Sequence, residues 1–199
     1  MLGQILSGQK EPKSGIVTIN HYQLYRHPIK ARDQIGYLAN SDSGEPFLTG
    51  AEFLDLVGAV YRLSPARRAA RIEELVANLD LTADVYTTME RLSLGSRQKI
   101  VLAAALIHQP SCLILDEPLQ YLDFDGQQRA LELVNNAQKE GAAIILITDS
   151  LTLAEELADE IIILDNGRIA AQGTLKQLQN QAQPADRSLA GIYQAILEQ

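Results

Sequence analysis

Tryptophan is absent from the 199 residues, and phenylalanine and tyrosine bring the aromatic share to only 5%. Aliphatic side chains must therefore build the core. One cysteine, Cys112, excludes an intramolecular disulfide. It stands in the apolar run Cys112-Leu113-Ile114-Leu115 and reads as a small buried hydrophobe. Basic residues are in deficit, with 17 Lys and Arg against 25 Asp and Glu, a formal net charge of −8. That balance argues against nonspecific nucleic-acid binding, which rests on neutralising phosphates. It leaves a nucleotide site open, since such sites use local charge and backbone dipoles. No apolar run approaches the length of about 20 residues that spans a bilayer. The start, MLGQILSGQK, has neither the basic opening nor the long apolar middle of a signal peptide. A cytosolic chain is expected. His21, His27 and His108 lack metal-ligand spacing, and surface or loop roles are expected for all three.

Hydrophobic residues make up 46% and charged residues 21%, ordinary values for a globular protein, and the length suits one domain with a real core. Residues 15–20 (GIVTIN) alternate as a half-buried strand does, and residues 35–38 (IGYL) read as a second strand. Residues 40–46 have loop composition. Thr49-Gly50-Ala51-Glu52 is a capping-box pattern ahead of Phe53, Leu56, Val57 and Val60 at helical spacing. Ser64-Pro65 opens another helix, with Ile72, Leu75, Val76 and Leu79 on its apolar face. Arg67, Arg68 and Arg71 are expected on its solvated face. A third helix is expected over 96–107. The apolar runs 111–116 and 142–148 read as buried strands of a parallel sheet, separated by a helix over 126–140. Helix 151–158, strands 160–164 and 168–171 with an Asp165-Asn166-Gly167 turn, and a helix capped by Thr174-Leu175-Lys176-Gln177 follow. Residues 181–187 read as a polar linker. The amphipathic stretch 188–197 can pack back or meet a partner. Strand–helix–strand alternation predicts an α/β fold with a parallel sheet, interrupted by a helical block at 49–107.

The sharpest local feature is Asp116-Glu117-Pro118 at the end of a buried strand. In open parallel sheets ligands bind beyond the carboxyl ends of the strands. An aspartate there can hold Mg²⁺ through water, and the next glutamate can orient or deprotonate a water. The plain alternative is that the triplet merely ends the strand. Upstream, Leu92-Ser93-Leu94-Gly95-Ser96-Arg97-Gln98-Lys99 opens a helix, where Ser93 and Gly95 leave backbone N–H groups for an anion or where Ser93 is simply an N-cap. Downstream, Asp123 follows a short loop and could equally be a helix-start residue.

In this order the segments resemble the ATP-binding domains of ABC (ATP-binding cassette) transporters. Ile35 to Asn40 stands at the Q-loop, LSLGS (92–96) at the signature and LILDEP (113–118) at the Walker B strand. Leu122-Asp123 stands at the D-loop and LITD (146–149) at the switch. The resemblance covers about residues 1–180 and is nearest the ATPases of ABC-2-type exporters. It implies an α/β, P-loop NTPase-like core formed by 1–48 and 108–180, a helical subdomain with the signature at 49–107, and a C-terminal linker and amphipathic helix at 181–199. It also implies ATP and Mg²⁺ as cofactors. Asp116 would serve the metal and Glu117 the catalytic water, with Ser93, Gly95, Asn40 and Asp123 facing nucleotide and Asp149 at the switch position. Partners would be a second ABC ATPase subunit, as homo- or heterodimer, and a transmembrane permease. The chain would then lie in the cytoplasm, peripheral at the inner face of the membrane.

The sequence departs from that pattern in several places. The phosphate loop G-x-x-x-x-G-K-[ST] is absent, and no Gly-Lys pair occurs anywhere. The residues Met1 to Gly8 look like the helix that normally follows the loop, so the loop and the strands before it are expected to be missing. Asn40 replaces the Q-loop glutamine, and Asp149 replaces the switch histidine and would repel a γ-phosphate. Leu94 replaces a signature glycine and Ser96 the signature glutamine. Two explanations compete: a truncated chain, and a degenerate subunit that works only with a partner. Asn40 and Asp149 favour degeneracy, because truncation alone would not alter them. A missing central strand would also leave an open sheet edge that invites association.

Overall fold

The computed structural model describes residues 1–39, 45–184 and 186–197. Asn40 and most of the expected 40–46 loop lie outside the described residues. The chain divides into two compact units, Met1–Ile147 and Thr148–Gln199.

The first unit begins with helix α1 (Leu2–Leu6), followed by the two-residue strands β1 (Thr18–Ile19) and β2 (Tyr22–Gln23) in an antiparallel hairpin. The strand expected over 15–20 is thus cut to two residues. Gly15 takes φ +96° and Ile16 is largely exposed, so the alternation there has no sheet to serve. A short helix α2 (Pro28–Arg32) leads into β3 (Ile35–Leu38). Three helices come next: α3 (Gly50–Val60), α4 (Pro65–Asn78) and α5 (Leu94–Leu106), with a 3-10 turn at Met89–Arg91. Then follow β4 (Cys112–Asp116), α6 (Phe124–Lys139) and β5 (Ala143–Ile147). Local chemistry sets these starts. Thr49 and Glu52 form the reciprocal capping box of α3, and the Ser64 hydroxyl accepts from the Arg67 N–H with Pro65 in the first turn of α4.

β3, β4 and β5 form one parallel sheet in that spatial order. β4 is central and its two faces feed separate cores. Leu113 and Leu115 join Leu54, Leu75, Leu79, Met89 and Ile100 from the helical block and Leu133 from α6. Cys112 and Ile114 join Leu24, Ala31 and Ile35 on the other face. Cys112 is buried, and burial pushes its thiol up, away from the reactive thiolate. Gly36 lets α5 lie directly on β3: a Cβ there would collide with the Ala105 carbonyl oxygen and lie 2.9 Å from a Leu113 methyl. β5 corrects the expectation of a second fully buried strand. Ala143 is exposed and Ile144 to Ile147 are half-buried, because β5 has a sheet neighbour on one side only among the described residues. The bonds Ala143 N–H to Ser111 O and Glu117 N–H to Ile147 O, both 2.9 Å, turn the peptides of Ala143, Ile145 and Ile147 toward β4 and those of Ile144 and Leu146 away.

Other expectations also change. His108 lies in the turn after α5, so its loop position holds, but it is half-buried and not at the surface. Its ring stacks on Tyr61 with centroids 3.6 Å apart, and Nε2 lies 3.0 Å from the Ile35 carbonyl oxygen, to which the Tyr61 hydroxyl also points at 3.4 Å. The solvated basic face of α4 holds only for Arg67. Arg68 pairs with Asp55 while its stem crosses Gly58, and Arg71 donates to Glu74 and to the Leu106 carbonyl, so both are largely buried.

In the second unit α7 (Leu151–Leu157) precedes an antiparallel hairpin of β6 (Ile161–Asp165) and β7 (Arg168–Gly173), then α8 (Leu175–Ala182) and α9 (Leu189–Leu197). Asn166 and Gly167, at φ 46° and 76°, make the tight turn expected of Asn-Gly. Leu189 and Ile192 of α9 pack with Leu178, Ile161, Ile163 and Ala171, so the C-terminal helix closes this unit's own core. Among the described residues no helix is long and apolar enough to cross a membrane.

Candidate functional site

Asp116 is the last residue of β4, half-buried, and Glu117 follows it in the left-handed region at φ 51°. That conformation is costly for a side chain bearing a Cβ and needs holding in place. The Glu117 N–H donates to the Ile147 carbonyl at 2.9 Å, which locks the turn to the end of β5. Asp116 sits beside the Tyr37 hydroxyl, whose pKa is raised by burial first and by the Asp116 charge second. Gly3 of α1 backs onto the same pair: a Cβ there would lie 3.1 Å from both Asp116 Oδ2 and the Tyr37 oxygen.

The first turn of α5 carries Ser93 and Gly95. Ser93 is the N-cap, accepting from the Ser96 N–H at 3.0 Å. The Ser96 hydroxyl reaches Asp84 Oδ2 at 2.6 Å and the Ser93 hydroxyl at 3.0 Å. A carboxylate only accepts, so the Ser96 proton goes to Asp84 and Ser93 donates to Ser96. Both polar functions of Ser93 are thus engaged within its own turn. Gly95 lies against the loop beyond Glu117, where a Cβ would stand 2.9 Å from the Tyr121 carbonyl oxygen. Gln98, one turn further, donates from Nε2 to the Glu117 carbonyl and accepts the Tyr121 N–H at Oε1, each at 3.0 Å. Asp123 caps α6, accepting the Gly126 N–H at 2.8 Å. The structure therefore brings the 93–98 segment, Glu117 and Tyr121 together through direct contacts, and Asp116 and Asp123 flank that loop.

The ABC transporter family model matches residues 1–120. The ATP-binding protein EcsA of Bacillus subtilis is 30% identical over 186 residues, covering 94% of this chain and 75% of that protein. The chain belongs to the ABC transporter ATP-binding family. Daunorubicin resistance ATP-binding protein DrrA3 of Streptomyces coeruleorubidus is 33% identical over 89% of this chain and 56% of its own length. The chain thus spans little more than half of that relative. A solved structure described as an ATP-binding subunit of an ABC transporter superposes with a TM-score of 0.91 at 31% identity, over 98% of this chain and 81% of that one. The dimeric ATP-binding cassette MJ0796, bound to ADP and Pi, superposes at 0.78 with 22% identity, over 87% of this chain and 78% of its own, a likeness of fold. The α/β architecture is that of the ABC ATPase, a P-loop NTPase fold.

Two further family positions are expected from the sequence. Asn40 is outside the described residues, and Asp149 is an exposed residue of the second unit, at a bend between β5 and α7. Among the described residues no group of three or more His, Cys, Asp and Glu could hold a metal ion. Mg²⁺ in such enzymes leans on one or two carboxylates plus phosphate oxygens. Gly3 and the Tyr37 hydroxyl lie next to Asp116. Asp116 and Glu117 stand at the carboxyl end of the central strand, and no Gly-Lys pair occurs in residues 1–199. Three residues escaped sequence reasoning here. Tyr37 carried no signal beyond its place in an apolar strand, and Asp84 lies nine residues from Ser93 in a loop. Gln98 stood within the quoted signature segment, but its reach to the Glu117 carbonyl needs the fold.

Proposed function

We propose that the chain serves as the ATP-binding-type subunit of an ABC transporter, coupling ATP binding or hydrolysis to a membrane permease. The observation that supports this most is the direct packing of the 93–98 turn on the loop that follows Glu117. In this reading Ser93 and Gly95 face nucleotide held by a second ABC ATPase subunit, in a homo- or heterodimer, with Asp123 at the junction. Asp116 is the residue for Mg²⁺ and Glu117 the one for the attacking water, while Asn40 is an altered contact to Mg²⁺ or water and Asp149 an altered contact to the γ-phosphate. The subunit then sits at the cytoplasmic face, held by the permease.

A second reading is a non-catalytic regulatory subunit that pairs with a complete ABC ATPase. Asp149, acidic where a hydrogen-bond donor is expected, and the missing Gly-Lys motif in residues 1–199 favour it. Co-purification from the native host, followed by ATPase assays of the complex, separates the two. Under the first reading Glu117→Gln lowers turnover by about 10² or more, the usual weight of a general base. Under the second, Glu117→Gln leaves turnover unchanged while removing the chain alters it. A complex whose turnover responds to neither change refutes both.

A further inference from the structure

Gln98 holds both ends of the Glu117–Tyr121 loop from another element. Its amide is used at both ends, Nε2 to the Glu117 carbonyl and Oε1 from the Tyr121 N–H, so its orientation is fixed by chemistry. The loop's own bonds are weaker supports: Gln120 N–H to Glu117 O is 3.5 Å and Leu122 N–H to Leu119 O is 3.2 Å. Gln127 of α6 props the loop from the other side, through the Leu119 and Leu122 carbonyls at 3.5 and 3.1 Å. Glu117 occupies a left-handed conformation that a glutamate does not choose unaided, and its peptide is pinned at the N–H by Ile147 and at the carbonyl by Gln98. Gln98 also lies one helical turn after Gly95, on the rigid rod that carries Ser93 at its tip.

We propose that Gln98 is a positioning residue that ties the Glu117 turn to the signature end of α5, so that displacement of Ser93 and Gly95 is passed to Glu117. Its functional consequence rests on the ATP-binding reading above; the clamp itself does not. The test is residue-resolved NMR on the full chain with Gln98→Leu and Gln98→Glu. Leucine removes both bonds. Glutamate keeps an acceptor for the Tyr121 N–H and loses the donor to the Glu117 carbonyl. We expect Tyr121 amide exchange about tenfold faster in Gln98→Leu, the loss of one net hydrogen bond, and near wild type in Gln98→Glu. The Glu117 carbonyl ¹³C resonance should move the same way in both, while the amides of Leu113 and Leu115 hold their protection. A Ser93→Ala change should shift the Glu117 carbonyl resonance in the wild-type background and not with Gln98→Leu. Unchanged Tyr121 exchange in Gln98→Leu, or uniform acceleration across β4 and the loop alike, overturns the clamp. A Ser93→Ala response that persists without Gln98 overturns the coupling. In the co-purified complex the same variant should lower kcat for ATP with little change in KM. A wild-type complex without turnover counts against the ATP reading and leaves the NMR outcome to decide the clamp.

Discussion

His108 gives the protein a stability that depends on pH, and the dependence can be worked from its surroundings. Burial pulls its pKa from 6.5 down to about 4, against the smaller opposing pulls of the Ile35 carbonyl and the Asp33 charge. The ring stacks on Tyr61, and Nδ1 is buried with no hydrogen-bond partner, so a proton added there would have nowhere to donate. The sign follows from linkage. The unfolded chain binds this proton near pH 6.5 and the folded chain only near 4, so the unfolded state holds more protons in between. Stability from this group is complete above about 6.5 and is lost as the pH falls toward 4. The gap corresponds to roughly 3 kcal/mol at most. Between pH 7.5 and 5.5 the loss is about 1 kcal/mol, and that window stays above the sequence pI of about 4.9. Urea denaturation at several pH values, wild type against His108→Phe, measures it. Phenylalanine keeps the stack and cannot titrate, so every other ionisable group cancels in the difference. The two stability profiles should converge by about 1 kcal/mol on acidification from 7.5 to 5.5. Profiles that stay parallel would refute the buried, neutral assignment of His108.

Other substitutions test the packing. Gly36→Ala should destabilise by about 1–3 kcal/mol, the cost of overpacking, because the new methyl meets the Ala105 carbonyl and α5 must lift from β3; an unchanged urea midpoint would contradict that contact. Ser96→Ala should cost about 1 kcal/mol through the lost bond to Asp84, with little further loss when Asp84→Ala is added, which a double-mutant cycle reads. Ile192→Ala should cost about 2–5 kcal/mol within the second unit. Limited proteolysis should then cut first after residue 148, and a pattern like wild type would mean that α9 does not close that core.

Periodicity and capping chemistry were enough to read most elements. Helices α3, α4 and α8 start where Thr49, Ser64 and Thr174 predict, since an N-cap is a local interaction complete within four residues. The strands at 112–116 and 161–165 were legible for the same reason, as runs of aliphatic residues bounded by turn chemistry. Burial depends on neighbours and was harder to read. β5 is as apolar as β4, yet only a position in the sheet decides which is covered on both sides. Arg68 and Arg71 read as a solvated face and His108 as a surface or loop residue, because type alone cannot reveal their contacts with Asp55, Leu106 and Ile35. The same limit applied at the site. Asp116, Glu117 and Ser93 were visible in local patterns, whereas Tyr37, Asp84 and Gln98 act through contacts distant in sequence.

Sequence reading treated Leu94 and Ser96 as two separate losses from one signature, and the structure gives them different consequences. Leu94 is 55% exposed and is the first residue of α5, next to the exposed Ser93. Ser96 faces inward and its bond to Asp84 turns the Ser93 proton toward the protein. A phosphate approaching Ser93 would therefore compete with an internal hydrogen bond that a carboxylate reinforces. The backbone of the turn is different, because Gly95 and Gln98 keep its fit to the Tyr121 and Glu117 segment. Ser93 itself remains exposed, but its proton is engaged by Ser96, while Gln98 ties the same turn to the Glu117–Tyr121 segment. Under the proposed reading, a phosphate contact at this end of α5 would therefore have to displace the Ser93–Ser96 bond, which Ser93→Ala removes without touching Gln98.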